Sequence, residues 1–446
     1  MDAWSPLMVS AMPALAPRQP SFLFRHRDYG LYWFGMFLVQ IGGQIEAVTI
    51  GWQLYSLARV TMDVKQSSFM LGMIGLAQFV PLFFLTLYGG QLADRMSRRK
   101  IVLTALSAEL LGVIGLVATA LHGSPAIWVI FVIAMLFGAS RAFLSPAATA
   151  MVPMLVPRSD MPQAISLKSL SWQTAVILGP LLGGLLITLS VAAAYGTTAV
   201  LYCIGIVVIL QMRANTTPVR QPGKTIAQII DGIKYVWNNK IILGAMSLDL
   251  FAVLLGGVTA LLPVFAKDVL HVGPEGNGML RAGPAIGAVV MALILARWPL
   301  KKKAGVRMFL AVGAFGLATI VFGISKSLYL SVAALAALGA ADMISVYVRQ
   351  TLVQIVTPDH MRGRVSSVSG LFISGSNELG EFESGVASRL IGPVGAAIFG
   401  GVGTIFVTGL WAWMFPALRK ADRLDGAEPE AEETIQPQSL TAPASL

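Results

Sequence analysis

Apolar residues run through this chain in long unbroken stretches, and polar residues gather between them. About 20 apolar residues suffice for a helix to cross the hydrocarbon core of a bilayer. The pattern predicts spans at 29–57, 67–91, 101–122, 126–148, 163–190 and 192–212. After a polar gap a second set follows at 241–266, 275–297, 306–325, 327–355, 364–390 and 393–418. None of these runs shows the two-residue alternation of a transmembrane barrel strand. The expected fold class is therefore an all-α membrane protein of twelve helices. They form two six-helix bundles, 29–212 and 241–418, with tails at 1–28 and 419–446 and a linker at 213–240.

Composition agrees with a lipid-embedded chain. Hydrophobic residues make up 56% of the 446 and charged residues 12%, well below the roughly 25% of a soluble domain. A net charge of +10 could suit nucleic acid, but its placement points elsewhere. With the N-terminus inside, one side collects Arg18, Arg25, Arg27, the turn at 95–100, Arg158 and the stretch from Arg213 to Lys240. It also takes Arg297 to Arg307, Arg362, Arg364 and Arg419 to Arg423, whereas the other side has only Arg59, Lys65, Lys267 and Lys326. Loops rich in Lys and Arg stay cytoplasmic. The charge is thus an orientation signal that places both termini in the cytoplasm, with the bilayer, not nucleic acid, as partner. Cys203 is the single cysteine, so no intrachain disulfide exists. The first twenty residues lack the early cation of a secretory signal and read as a cytoplasmic tail. Residues 421–446 are acidic and rich in Pro, Ser and Ala, a composition expected to be disordered.

The two sets of spans echo each other. Val156-Pro157-Arg158-Ser159-Asp160-Met161, followed by Ala164-Ile165-Ser166 and Ser169, matches Thr357-Pro358-Asp359-His360-Met361, followed by Arg364-Val365-Ser366 and Ser369. The offset is 201 and then 200 residues, and the two segments follow the fourth and tenth spans. Such a pattern fits repeats related by an axis along the membrane normal. In the linker, Thr225-Ile226-Ala227-Gln228 fits a capping box. Ile226, Ile229, Ile230, Ile233 and Trp237 recur at helical spacing against Gln228, Asp231 and Lys234, predicting an amphipathic helix on the membrane face. Gly223-Lys224-Thr225 ends like a P-loop, but Pro218 stands where the first glycine is needed.

A twelve-residue turn between the second and third spans carries the family resemblance. Gly90-Gln91-Leu92-Ala93-Asp94-Arg95-Met96-Ser97-Arg98-Arg99 resembles the G-x-L-A-D-R-x-G-R-R/K loop of the major facilitator superfamily. Ser97 replaces the second glycine, a costly exchange if the turn needs positive φ there. The resemblance implies that the loop ties the halves together on the cytoplasmic side, with Asp94 paired locally and facing the positive end of the eleventh helix. Arg95, Arg98 and Arg99 would supply the basic charge. The corresponding stretch from Ala296 to Lys303 keeps only that charge. In the fifth span, Ala175-Val176-Ile177-Leu178-Gly179-Pro180-Leu181-Leu182-Gly183-Gly184 is similar to the exporter-associated G-x-x-x-G-P-x-x-G-G pattern. Gly179, Gly183 and Gly184 would permit close helix approach and Pro180 a bend; a plain packing seam is the alternative reading. Together with Arg141-Ala142-Phe143-Leu144-Ser145-Pro146-Ala147 and Leu262-Pro263-Val264-Phe265-Ala266, these stretches look like the bacterial branch that contains the enterobactin exporter and drug–proton antiporters.

Ionisable groups inside apolar spans need a reason, because each costs about 2.5–3.5 kcal/mol at the bilayer centre. Here they are Glu46, Glu109, Asp249, Asp342, Glu378, Glu381 and Glu383, with Arg141, Arg281, Arg349 and Arg389. The resemblance places helices 1, 4, 7 and 10 around a central cavity, which brings Glu46, Arg141, Asp249 and Asp342 there, with Arg349 two turns beyond Asp342. Glu46, Asp249 and Asp342 are then the candidate proton carriers and Arg141 their counter-ion; a fixed brace is the alternative. Low dielectric makes a carboxyl hold its proton and a nearby cation makes it let go. Arg281 with Glu378 and Glu381 is expected to form a gating or bracing contact. Glu109 has no evident partner.

The function this implies is secondary active transport, most simply proton-coupled export of a small amphipathic siderophore or drug, with import or facilitation as the alternative. The 20 Met and 21 Phe offer soft apolar surface for such a cargo. An enzyme or haem protein is not expected: His26, His122, His271 and His360 all lie at span ends or in loops, and no nucleophile motif occurs. No cofactor or metal is implied, and a monomer is expected.

Overall fold

The computed structural model describes residues 22–122, 127–218, 226–300 and 302–421. The tails beyond these limits, the Thr225 cap and the Gly223-Lys224-Thr225 stretch fall outside them. Helix α1 (Arg27–Thr61) is followed by α2 (Val64–Ala93), α3 (Arg98–Leu121), α4 (Ile127–Leu155), α5 (Met161–Leu189) and α6 (Val191–Leu210). A linker helix (Ile226–Asn238) leads to α7 (Lys240–Leu255), α8 (Pro274–Arg297), α9 (Ala304–Ile324), α10 (Leu328–Val356) and a final run, Asp359–Met414. Eleven helices among the described residues are long and apolar enough to cross a membrane. The last, 56 residues long, is broken at Gly392, where φ is 80° and ψ 167°, with Pro393 next. It therefore comprises two rods, α11 (359–391) and α12 (393–414). The described residues contain no strand.

Short polar caps make the tight reversals possible. Asp63 accepts from the Gln66 N–H at 2.7 Å to start α2, and Ser190 accepts from Ala193 N–H at 2.9 Å to start α6. Asn239 does the same for α7 with Ile241 and Ile242. Each cap satisfies backbone donors that a helix start leaves open. The repeat seen in the sequence has a backbone counterpart. Pro157 (φ −60°, ψ 157°) and Pro358 (φ −58°, ψ 149°) adopt the same extended conformation ahead of α5 and α11.

One span differs from expectation. The run at 241–266 is helical only to Leu255; Gly256 and Gly257 open it, and a 3₁₀ turn (Val258–Leu261), one α turn (Leu262–Val264) and a π turn (Phe265–Val269) follow. The cause is close approach to α11. A methyl group on Gly257 would stand 2.5 Å from the Gly380 carbonyl, and one on Gly380 2.8 Å from that of Val253. Glycine alone fits where two backbones touch.

The linker helix docks on the second half. Val236 is buried with Ile242, Met246, Met361 and Val365, Tyr235 Oη donates to the Val356 carbonyl at 3.1 Å, and Asp231 pairs with Arg364 at 3.4 Å. Ile230, Ile233 and Trp237 stay exposed, the apolar row that the sequence assigned to the membrane face.

Within the first half α1 lies behind α4 and α5. Its Tyr32 Oη donates to the Ala148 carbonyl, Tyr29 Oη to that of Ala164 and Trp33 Nε1 to that of Leu167. The halves meet chiefly at the end that carries the turns at 62–63 and 270–273. There α2 crosses α11 so closely that a methyl on Gly72 would lie 2.8 Å from Gly385 Cα, and α5 crosses α8 with Gly184 and Gly278 in similar contact. Past Phe79 and Gly375, α2 turns from α11 to α4, with Gly89 against Ala142. One end is sealed and the other, bearing the turns at 94–97 and 156–160, is splayed.

Candidate functional site

The seal is polar at its rim. Tyr55 Oη donates a very short hydrogen bond to Asp268 Oδ2, and Arg59 Nε and Nη2 reach the same carboxylate at 3.3 and 3.4 Å. Lys267 Nζ donates to Ser56 Oγ at 3.2 Å, and Lys65 Nζ to the Leu390 carbonyl at 3.2 Å. Tyr55, Arg59 and Asp268 are absent from the sequence-based candidates. Arg59 and Lys267 enter there only as loop charge, and Asp268 follows directly on the apolar run of α7.

At mid-depth the second cross-half contact differs from expectation. Arg141 on α4 makes its ion pair across the halves, its Nη1 bonding Glu378 Oε1 of α11 at 3.2 Å and Gln78 Oε1 of α2 at 2.9 Å, with Glu46 within reach of its charge but not in contact. Arg141 is 46% exposed and Glu378 15%. Arg281 forms no ion pair with Glu378 or Glu381 within 4 Å among the described residues. Arg281 nonetheless faces both carboxylates at longer range, although α8 lies chiefly against α5 and α10. Glu381 sits instead over Gly75 of α2.

The other intramembrane acids make their closest contacts inside their own halves. Glu46 turns toward α6, where Tyr202 Oη donates to its Oε2 at 3.2 Å and the Tyr202 ring rests on Gly42. Thr198 and Tyr195 of α6 add hydrogen bonds to the Gly42 carbonyl and to Gln53. Glu109 of α3 is buried and makes no hydrogen bond or ion pair among the described residues. In the second half Asp249 of α7 pairs with Arg349 Nη2 of α10 at 3.2 Å, both well buried. Asp249, Asp342 and Ser345 line a small void with Val312 and Phe315 of α9. For the second-half acids the counter-ion is Arg349, which α10 carries two turns from Asp342.

The two motifs resolve into packing roles. In the 94–99 turn Ser97 has φ −56°, so the missing glycine costs nothing there. Arg98 Nη1 donates to the Ala150 carbonyl at 2.5 Å, Arg99 to that of Leu210, and Thr216 Oγ1 accepts from Arg99 N at 3.1 Å. Gly90 has open space about it, and the Asp94 side chain makes no hydrogen bond or ion pair among the described residues. The local pairing implied for Asp94 is thus not formed in this splayed arrangement. In α5 the glycine motif packs two ways. Gly179 and Gly183 lie against Gln44 and Ile45 of α1, while Pro180 and Gly184 lie against Gly278 of α8.

Toward the splayed end α4 and α5 line an open cavity of about 550 Å³. Its walls include Thr149 and Val152 of α4 and Ile165, Ser169 and Gln173 of α5. Helical periodicity fixes which way it faces. Val152 lies three turns from Arg141 on the same side of α4, the side that meets Glu378. Ser169 and Gln173 share the side of α5 that carries Pro180 and Gly184, which close on α8. The faces that touch the second half at depth therefore line the cavity where the halves part.

Two lipid-crossing bundles, sealed at one end around a cleft with ionisable groups, define a membrane transporter of the major facilitator fold. The chain belongs to the transmembrane secretion effector family, whose profile matches residues 19–441. It is 27% identical to the enterobactin exporter EntS of Citrobacter koseri over 90% of this chain and 94% of that protein. Identity to the enterobactin exporter EntS of Shigella boydii is 26% over the same shares. Among solved structures it resembles a POT family transporter in complex with 5-aminolevulinic acid (TM-score 0.69, 12% identity, 88% of this chain and 96% of that one). A bacterial homologue of the human lysosomal transporter Spinster gives a TM-score of 0.66 at 14% identity, over 88% and 96%.

Proposed function

We propose that this chain is a proton-coupled exporter that carries a small amphipathic compound, a siderophore or a drug, across the bacterial inner membrane by alternating access, as a monomer with both termini in the cytoplasm. The distribution of Lys and Arg supports that orientation, and with it the splayed end opens to the cytoplasm. The cavity between α4 and α5 is then placed to load cargo from inside the cell, and the seal at Tyr55, Arg59 and Asp268 closes the far side. The bundles 29–212 and 241–418 act as the two rocking bodies, joined by the linker 213–240.

The observation that carries the reading is the Arg141–Glu378 pair, which spans the two halves at the depth where their contact ends. When the halves rock to open the far side, α4 and α11 part and Glu378 can take a proton from there. When they return, Arg141 comes back within reach, and the proton leaves to the cytoplasm as the ion pair forms. One charge moving through ~100 mV yields ~2.3 kcal/mol, enough for a roughly 50-fold gradient of cargo. Glu46, Asp249 and Asp342 are further proton-accepting stations inside the halves. Asp342, the least buried of the three, is the best placed to exchange.

Inverted proteoliposomes with an acid lumen, offered a panel of siderophores and drugs, test the proposal. Accumulation in the lumen that collapses with the pH gradient is expected, and Glu378→Gln should retain downhill exchange while losing the response to the gradient. Uptake by intact cells instead of inverted vesicles would make the chain an importer.

A further inference from the structure

Resting on the export reading, we propose that the cavity between α4 and α5 is a receiving site for an aromatic organic anion. The Lys168 ammonium takes the anionic group and the Trp172 indole stacks on the ring. The two residues are four apart and so lie on one flank of α5, the flank that the cavity shares with Pro153 and Val152 of α4. The cavity, about 550 Å³, falls in the range of roughly 300–1,000 Å³ that suits a drug-sized molecule.

Charge identifies the occupant. Arg59, Arg141 and Arg349 each reach a carboxylate: Asp268, Glu378 and Asp249. Lys168 is only partly exposed, has no ion pair or side-chain hydrogen bond among the described residues, and is the sole charged group on the cavity wall. An ammonium among Val152, Pro153 and Ile165 without a protein anion is stabilised by an anion arriving from outside. Thr149, Ser169 and Gln173 on the same wall have unpaired side chains among the described residues, ready to donate or accept. The indole of Trp172 is 51% exposed on this wall, and its N–H has no hydrogen-bond partner among the described residues. An exposed ring beside a free cation, with apolar walls, matches a molecule that carries both an aromatic ring and a negative charge.

The test uses the full chain in nanodiscs of phosphatidylcholine, which supplies no anionic lipid to compete, and follows binding by isothermal titration calorimetry. The probes are 2-naphthoate and its neutral and cationic counterparts, 2-naphthamide and 2-naphthylmethylammonium. The wild type is expected to bind naphthoate saturably, and Lys168→Gln to weaken it about tenfold or more, the loss of one charge-assisted contact. Lys168→Arg should stay within about threefold, and Trp172→Leu should weaken naphthoate and naphthamide alike by roughly fivefold. Naphthamide should bind Lys168→Gln and wild type equally. Absence of saturable naphthoate binding to the wild type overturns the site. So does an unchanged affinity in a Lys168→Gln protein whose thermal unfolding matches the wild type, or tighter binding of the cation than of the anion. Transport in inverted proteoliposomes separates the two readings. Lys168-dependent binding without gradient-driven transport keeps the site and removes the export reading. Transport unaffected by Lys168→Gln removes the site and keeps that reading.

Discussion

The two halves place their cations differently. In the second half Arg349 stays at home: it neutralises Asp249 on the neighbouring helix of the same bundle, both side chains out of water. In the first half Arg141 reaches out of its bundle to Glu378, while Glu46 and Glu109 of its own bundle feel its charge only at longer range and make no ion pair within 4 Å among the described residues. On the proposed alternating access, a pair within one body keeps its geometry when the bodies rock, and a pair between bodies cannot. The difference separates a brace from a switch, although both are Arg–carboxylate contacts with the same 3.2 Å separation.

This contrast can be broken most forcefully at Arg349. Replacing it with Leu leaves Asp249 charged and buried, at a cost of about 3–5 kcal/mol that thermal unfolding in nanodiscs should register. The Asp249→Asn, Arg349→Gln double variant should recover most of the loss. Equal stability of Arg349→Leu and wild type would remove the brace. Next in size is Asp268→Asn, which strips the charge from the seal formed with Tyr55 and Arg59. About 1.5–3 kcal/mol of bias toward the sealed state should go with it. Spin-label distances across the turns at 62–63 and 270–273 should then lengthen in a larger share of molecules. Tyr202→Phe removes the single hydrogen bond on Glu46 and should cost about 1 kcal/mol, with unfolding again the readout. Arg141→Gln should be mildest on stability, below about 1 kcal/mol, because the side chain is about half exposed rather than packed. Its transport should nonetheless lose dependence on the pH gradient in proteoliposomes. If Arg141→Gln unfolds as readily as Arg349→Leu while transport survives, brace and switch have been assigned the wrong way round.

Much of the architecture was legible because the bilayer imposes a length. Apolar runs of about 20 residues between basic turns have few other uses, and most observed helix ends fall within a few residues of the expected ones, the C-terminal ends of α4 and α7 excepted. The break in α7 was hidden, since Gly256 and Gly257 resemble the many glycines that membrane helices tolerate. Only the approach of Gly380 from 123 residues away makes them a gap. Pairing was hidden for a similar reason. That Arg141 and Glu378 stand in apolar spans is readable, but which acid an arginine meets depends on how two helices cross. Lys168 carried a signal that went unread: a lone lysine inside an apolar span with a tryptophan one turn on. Asp268 offered less, being one charge beside another at the edge of a span.

Gly392 bears on how movement travels through the second half. Because α11 and α12 share this single non-helical residue and no loop, no slack chain lies between them to absorb a tilt. Lys65 of the opposite bundle holds the Leu390 carbonyl just before the corner. When α11 leans away from α2, the corner works as a crank, and the last rod must swing on the lipid side at the same moment. Stiffening one dihedral pair at that corner would slow both together.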